Sequence, residues 1–357
     1  MKIGILGLPL VGKTTFFNLL TEMRAETKNF MDRSEKLNIG MARVLDSRID
    51  KLSNIFEPEK ITYAKIEFAD LPGLSTEQNN KERNSFLSNL KNMDALVQVV
   101  RVFDNQEIPL AEDELDPVSE LEKVNLELIF SDLEIIERKF SRVKKGQKVD
   151  PHEMALLEKC QSALEEGKSI RELDLAKDDL AKLRGYTFLT AKPLIIVLNL
   201  SEEQFQSGRY EDRENILEFL ENNELPYLEI CAALEMEINE LEPEEKGLFM
   251  DELGIKETGI ARLTRTVYQH LDLISFFTVG TDEVRAWTIT RGMTAKEAAG
   301  VIHSDITRGF IKAEVIAYDR FIELGSLQSA REAGELRIEG KEYLVSDGDI
   351  ISYRFNV

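Results

Sequence analysis

Gly7-Leu8-Pro9-Leu10-Val11-Gly12-Lys13-Thr14 fits the phosphate-binding pattern G-x-x-x-x-G-K-[S/T]. Each residue type has a mechanical reason to be there. Gly7 and Gly12 let the backbone curl so that successive N–H groups face one anion at a helix N-terminus, where the dipole favours negative charge. Lys13 would reach the β- and γ-phosphates of a nucleotide, and the Thr14 hydroxyl would ligate Mg²⁺. Leu8, Pro9, Leu10, Val11 and Thr15 fall in the same expected contact surface. A nucleoside triphosphate is the ligand this stretch implies.

Two further motifs point the same way. Asp70-Leu71-Pro72-Gly73 is a D-x-x-G about sixty residues downstream at a strand end, where Asp70 would hold Mg²⁺ through water and the Gly73 amide would sense the γ-phosphate. Lys13, Thr14, Asp70 and Gly73 form the expected catalytic set, with Thr14 and Asp70 as metal-side groups. Leu74 follows, and its apolar side chain cannot orient an attacking water as a glutamine can. Asn199-Leu200-Ser201-Glu202 stands where GTPases carry N-K-x-D. With Leu200 for the Lys and Glu202 for the Asp, the paired guanine contact is disfavoured. Asn199 can still address the N6/N7 edge of adenine. Ala232, Ala233 and Leu234 occupy the loop expected to close over the base. Thr27 and Ser34 are the hydroxyls available to a switch segment, with nothing in the sequence to choose between them.

The elements that must position these groups are readable from periodicity. Lys2–Leu6 is an apolar strand and Thr14–Leu20 has helical spacing, so the first motif sits on a strand-loop-helix unit. Ile61–Ala69 alternates like one strand running into Asp70. Ala95–Val102 and Pro193–Leu198 are continuous apolar strands, and Pro226–Glu235 reads as a last strand and loop. From Pro117 to about Gly185 the pattern is amphipathic helix, broken by the basic turn Arg142–Gly146. Phe276–Val357 mixes strands with a helix capped by Thr294. The expected class is α/β. A doubly wound P-loop NTPase domain covers 1–116 and 190–274, a helical coiled-coil hairpin is inserted over 117–189, and a small α+β domain covers 275–357.

The chain has 357 residues, 43% hydrophobic and 31% charged, with a net charge of −21. That charge opposes a broad electrostatic grip on nucleic acid while leaving room for a local basic patch. The apolar runs are strand-sized, so no membrane partner is expected. Cys160 and Cys231 lack metal-ligand spacing and read as reduced thiols of a cytoplasmic protein.

Together these residues resemble the YchF / Obg-like ATPase family over essentially the whole chain. The carriers are G-L-P-x-V-G-K at 7–13, N-L-S-E at 199–202, E-V-R-A-W-T-I at 283–289, Ala298–Asp305 with Gly309-Phe310-Ile311, and the ending Phe355-Asn356-Val357. The resemblance implies ATP binding with Mg²⁺, slow hydrolysis tied to Leu74, ribosome association and a TGS-type, β-grasp-like C-terminal domain; weaker GTP binding, no DNA partner and a monomer are expected alongside. The chain departs from the family pattern at several places. Leu10 replaces an Asn that related NTPases use for potassium, and only Asn38-Ile39-Gly40 resembles the usual switch I. Ser75–Asn84 is shorter than the usual Gly-rich run, a family cysteine is missing, and Leu110 falls where some members carry His. Two alternatives remain: a nucleotide-gated binding module with negligible turnover, and an Obg-type GTPase.

Overall fold

The computed structural model describes residues 1–21, 37–74, 80–105, 107–110 and 114–356. Thr27, Ser34, Val357 and residues 75–79 of the Ser75–Asn84 stretch lie outside them. Chain order runs β1 (Lys2–Leu6), α1 (Lys13–Thr21), β2 (Asn38–Arg43), α2 (Ser47–Phe56), β3 (Lys60–Thr62), β4 (Lys65–Asp70), α3 (Asn80–Lys91), β5 (Ala95–Arg101) and α4 (Pro117–Lys144). It continues α5 (Pro151–Glu165), α6 (Lys177–Leu183), β6 (Leu194–Asn199), α7 (Glu202–Ser207), α8 (Arg213–Asn222), β7 (Tyr227–Ile230), α9 (Ala232–Glu240), α10 (Pro243–Glu252) and α11 (Gly259–His270). The remainder is β8 (Leu273–Thr278), β9 (Glu283–Thr290), α12 (Ala295–Ile302), α13 (Ser304–Arg308), β10 (Phe310–Ala317), two short helices, β11 (Arg337–Glu339) and β12 (Asp349–Phe355).

The chain divides into two compact units, Met1–Ala42 with Glu67–Ile260, and Arg43–Ile66 with Ala261–Val357. The first is built on a six-stranded sheet in the order β2-β4-β1-β5-β6-β7. β1 pairs in parallel with β4 and β5, β5 with β6, and β6 with β7. β5 and β6 are buried along their whole length, as central parallel strands covered on both faces must be, and this is why they read as unbroken apolar runs. The P-loop follows β1, D-x-x-G follows β4, and N-x-x-E follows β6. All three therefore emerge at the carboxyl ends of parallel strands of one sheet, where open α/β folds bind ligands.

The helical insertion has its own core of Ile129, Ile136, Leu156, Leu157, Cys160 and Leu164. Asp116 and Asp150 cap α4 and α5, each with proline at the first helical position. The return to the sheet is tied down by Asp132 on α4. It is fully buried and accepts from the Leu189 N–H at 2.8 Å, the Thr190 N–H at 2.7 Å and the Thr190 hydroxyl at 2.7 Å. Asp132→Ala would orphan those donors at about 1–3 kcal/mol each for the worst satisfied. The expected loss is about 3 kcal/mol or more, visible as a lowered urea midpoint. An unchanged midpoint would mean water replaces the carboxylate.

The second unit carries a six-stranded sheet in the order β11-β10-β12-β8-β9-β3. Phe276, Val315 and Ile351 from the sheet and Ala295 and Ala298 from α12 form its core. Thr294 caps α12 in a capping box with Glu297, and His303 caps α13 by accepting from the Asp305 N–H at 3.2 Å. His303 is thus a structural group. Two sequence expectations change here. Ile61–Ala69 is not one strand: it breaks at Tyr63-Ala64, with β3 pairing with β9 in the second unit and β4 pairing with β1 in the first. Residues 43–66, expected within the nucleotide domain, accordingly cluster with the C-terminal residues. Thr62 donates to Glu283 at 2.6 Å and Lys60 pairs with Glu283 at 3.2 Å, contacts no local alternation pattern can anticipate.

Candidate functional site

β1 ends at Leu6 and α1 begins at Lys13, so Gly7–Gly12 must turn within six residues. Gly7 and Gly12 take φ of 143° and 98°, which side chains tolerate poorly. A Cβ on Gly7 would stand 2.3 Å from the Val99 carbonyl oxygen, and one on Gly12 would stand 2.5 Å from Asn199 Nδ2. Leu10 also sits at positive φ, 64°. The D-x-x-G segment lies directly against this loop. The Leu71 N–H donates to the Ile5 carbonyl at 3.2 Å and the Leu74 N–H to the Gly7 carbonyl at 3.1 Å. A Cβ on Gly73 would come within 2.9 Å of the Pro9 backbone, so glycine here permits the close approach.

Lys13, Thr14 and Asp70 come together as expected. Lys13 is 7% exposed, and its ammonium donates to the Leu8 carbonyl at 2.5 Å. The Thr14 hydroxyl donates to Asp70 Oδ2 at 2.9 Å. Burial pulls the Lys13 ammonium down to about 8, against the opposing influence of Asp70 and Glu120. Burial likewise raises Asp70, while Thr14, Lys13 and Asn38 pull it back. Asp70 Oδ1 is buried without a hydrogen-bond partner among the described residues. A hydroxyl and a carboxylate side by side, one oxygen still unmet, form the hard-oxygen set that Mg²⁺ prefers.

The Lys13 value makes a pH prediction. A bound phosphate favours the charged amine and raises its pKa again. Binding therefore takes up a proton once the pH exceeds about 8, and affinity falls as pH rises further, by at most about tenfold per pH unit. Calorimetry at about pH 8.5 in two buffers of different ionisation heat reads that uptake. Identical heats in both buffers would contradict it.

At the base side, Asn199 is 6% exposed. Its Nδ2 donates to the Val11 carbonyl at 3.0 Å, and its Oδ1 accepts from the Ala232 N–H at 3.2 Å. It therefore braces the P-loop against the segment after β7, leaving one amide hydrogen to offer a base. Leu200 is buried and its N–H donates to the Ile230 carbonyl at 2.8 Å. Glu202 is exposed at the start of α7 and accepts from Gln206 at 3.0 Å. Ala232, Ala233 and Leu234 form the first turn of α9 rather than a loop, with Cys231 capping through its sulfur 3.4 Å from the Leu234 N. The period of a strand end gives way to a helix whose cap is a cysteine, a residue rarely read as a cap.

Glu120 and Arg101 were not anticipated. Glu120, on the first turn of α4, is 7% exposed and lies 3.5 Å from the Leu8 N. On an amphipathic helix it reads as one more solvated acid. Arg101 ends β5 and is 3% exposed. Its guanidinium donates to the carbonyls of Phe103, Asn105, Ile108 and Pro109 at 3.1–3.2 Å, setting the course of the chain into Leu110. A cation closing an apolar run was the available signal. Both thiols are buried, which raises them, Cys160 to about 11. Among the described residues no group of three or more His, Cys, Asp or Glu is placed to hold a metal ion, and no described helix is long and apolar enough to cross a membrane.

A family model described as a 50S ribosome-binding GTPase matches residues 2–135. A second, YchF-GTPase_C, described as a protein of unknown function (DUF933), matches residues 273–356. The ribosome-binding ATPase YchF of Haemophilus ducreyi is 42% identical over 100% of this chain and 99% of its own. The Bacillus subtilis protein of the same name is 40% identical, covering 99% of each. The solved Schizosaccharomyces pombe YchF GTPase superposes with a TM-score of 0.87 at 30% identity, covering 99% of this chain and 97% of that one. A GTP-binding protein of Pyrococcus horikoshii OT3 shares the fold, with a TM-score of 0.61 at 18% identity over 100% of both chains.

Proposed function

The chain belongs to the YchF family, and from that premise we propose that it is a cytoplasmic, Mg²⁺-dependent ATPase that reports its nucleotide state to the ribosome. The observation that carries the reading is the convergence of Lys13, Thr14 and Asp70 beneath the Gly7–Gly12 curl. In it Lys13 and the loop amides hold the phosphates, Thr14 and Asp70 hold the metal, and Gly73 follows the γ-phosphate. Mg²⁺ supplies charge neutralisation at the phosphates when bound. Adenine is preferred because buried Leu200 offers no lysine stem to a base and Glu202 sets its carboxylate one methylene too far out for guanine. GTP binds more weakly. The partner is read from the names of the relatives, which call them ribosome-binding. The protein acts as a monomer, and its C-terminal unit is of TGS type.

Turnover is slow in this reading. Leu74 is 7% exposed and its N–H is already engaged by the Gly7 carbonyl, so this residue offers no polar group to align a water. The test is calorimetric titration with ATP and GTP in Mg²⁺, followed by single-turnover phosphate release with and without ribosomes. Tighter ATP binding and slow release that ribosomes alter are expected. Tighter GTP binding would overturn the base assignment. Absence of release under both conditions would favour a binding module that uses ATP as a structural ligand, the reading that buried Leu74 itself favours next.

A further inference from the structure

The inserted helices carry a cleft lined largely by basic side chains. On α4, Ile135, Arg138, Lys139 and Arg142 follow i, i+3, i+4, i+7 spacing and so share one face. Together with Glu153 of α5, Lys182 of α6 and Tyr186 they line a cleft of about 560 Å³. We propose that this cleft binds the phosphodiester backbone of RNA, a proposal that rests on the ribosome reading above and names its surface.

Charge is the first argument. Residues 136–148 hold six cations, Arg138, Lys139, Arg142, Lys144, Lys145 and Lys148, against the single acid Glu137, a local +5 in a chain of −21. Such crowding in an otherwise acidic protein costs self-repulsion that an external polyanion relieves.

The arrangement is also built. Lys139 pairs with Glu153 at 2.9 Å, and the Tyr186 hydroxyl donates to the same carboxylate. Those bonds hold Glu153 below the usual carboxylate range. This network engages Glu153, the one acid among the residues lining the cleft, and ties α4, α5 and Tyr186 together. Arg142 has no ion-pair partner among the described residues. Arg138 has only the exposed i−4 Glu134 at 2.9 Å, and Lys182 only Asp150 at 3.8 Å. Exposed pairs of this kind are worth little and exchange readily for a phosphate.

The form of the charge selects the occupant. Arginine forks fit phosphate oxygens in pairs, and the cations continue from the cleft along one helix end into the exposed Lys144, Lys145 and Lys148. A track of repeated charge suits a polymer with a charge on every unit better than a folded acidic protein surface.

The test uses the full chain with Arg138→Gln, Arg142→Gln and Lys182→Gln combined, leaving the Lys139–Glu153–Tyr186 network intact. Fluorescence anisotropy with a labelled RNA oligonucleotide is expected to show at least tenfold weaker binding at fixed salt. The slope of log affinity against log salt should flatten by about 2 for three lost contacts, and ATP binding should be unchanged. Arg→Lys replacements at 138 and 142 should retain most of the slope, which a merely structural role would not predict. Unchanged RNA affinity in the glutamine variant overturns the proposal. So does loss of ribosome pelleting with RNA affinity intact, which would assign the cleft to a protein partner. If the wild-type chain fails to pellet with ribosomes yet the RNA difference stands, the ribosome reading fails and the cleft remains an RNA site.

Discussion

Lys13→Ala is expected to remove measurable ATP binding and, with it, hydrolysis, while the fold persists. The side chain is almost fully enclosed and is the cation set between the P-loop, Asp70 and Glu120. Without it, incoming phosphates meet Asp70 and Glu120 without the cation that faces both. A hydrogen bond to a charged group contributes about 1.5–3 kcal/mol, and leaving buried charge uncompensated adds to that. A loss of about 3 kcal/mol corresponds to roughly 100-fold in affinity, with more expected if Asp70 and Glu120 remain ionised. Titration calorimetry with ATP and Mg²⁺ measures it. An affinity within threefold of wild type would remove the Gly7–Thr14 loop as the nucleotide site. Lys13→Arg should weaken binding as well, since the wider guanidinium would have to enter the nearly enclosed space in which the amine meets the Leu8 carbonyl at 2.5 Å.

The second large effect is expected at Asn199. Removing its amide in Asn199→Ala frees the Val11 carbonyl and the Ala232 N–H together, at about 1–3 kcal/mol for each group left buried and unmet. Because those bonds hold the P-loop itself, ATP and GTP affinity should fall together, by tenfold or more, and the thermal midpoint should drop by several degrees. A residue that only read adenine would lower ATP binding and spare GTP. Selective loss of ATP would therefore overturn the bracing role, and equal loss would support it. Gly12→Ala attacks the same brace from the other side, since its Cβ would meet Asn199 Nδ2 at 2.5 Å on a backbone already at φ 98°. It should reproduce the Asn199→Ala behaviour.

Much of this was legible beforehand for one reason. The phosphate loop, the D-x-x-G turn and the N-x-x-E turn each occupy a few consecutive residues at the end of an apolar strand, and strand, turn and helix signals are local. The parallel sheet followed from the same runs, because strands buried on both faces cannot alternate. Legibility failed where a partner was distant. The alternation of Ile61–Ala69 was real, yet it hid a break between two sheets, since alternation reports a half-buried strand and not which neighbour it pairs with. Ala232–Leu234 were expected as a loop because nothing in Cys231 announces a helix cap.

The residues of the site divide along the same line. The sequence by itself determined the chemistry available: which loop can cradle phosphate, which hydroxyl and carboxylate can face a metal, and that Leu74 can align no water. Only the tertiary structure decided what those groups do to one another. Thr14 and Asp70 are 56 positions apart, Leu8 and Glu120 are 112 apart, and Val11 and Asn199 are 188 apart. The burial that lowers Lys13, the enclosure of Glu120 and Arg101, and the use of Asn199 as a brace all arise from packing across those separations. Chemical type is a property of one residue, whereas burial and hydrogen-bond partnership are properties of the neighbours the fold supplies.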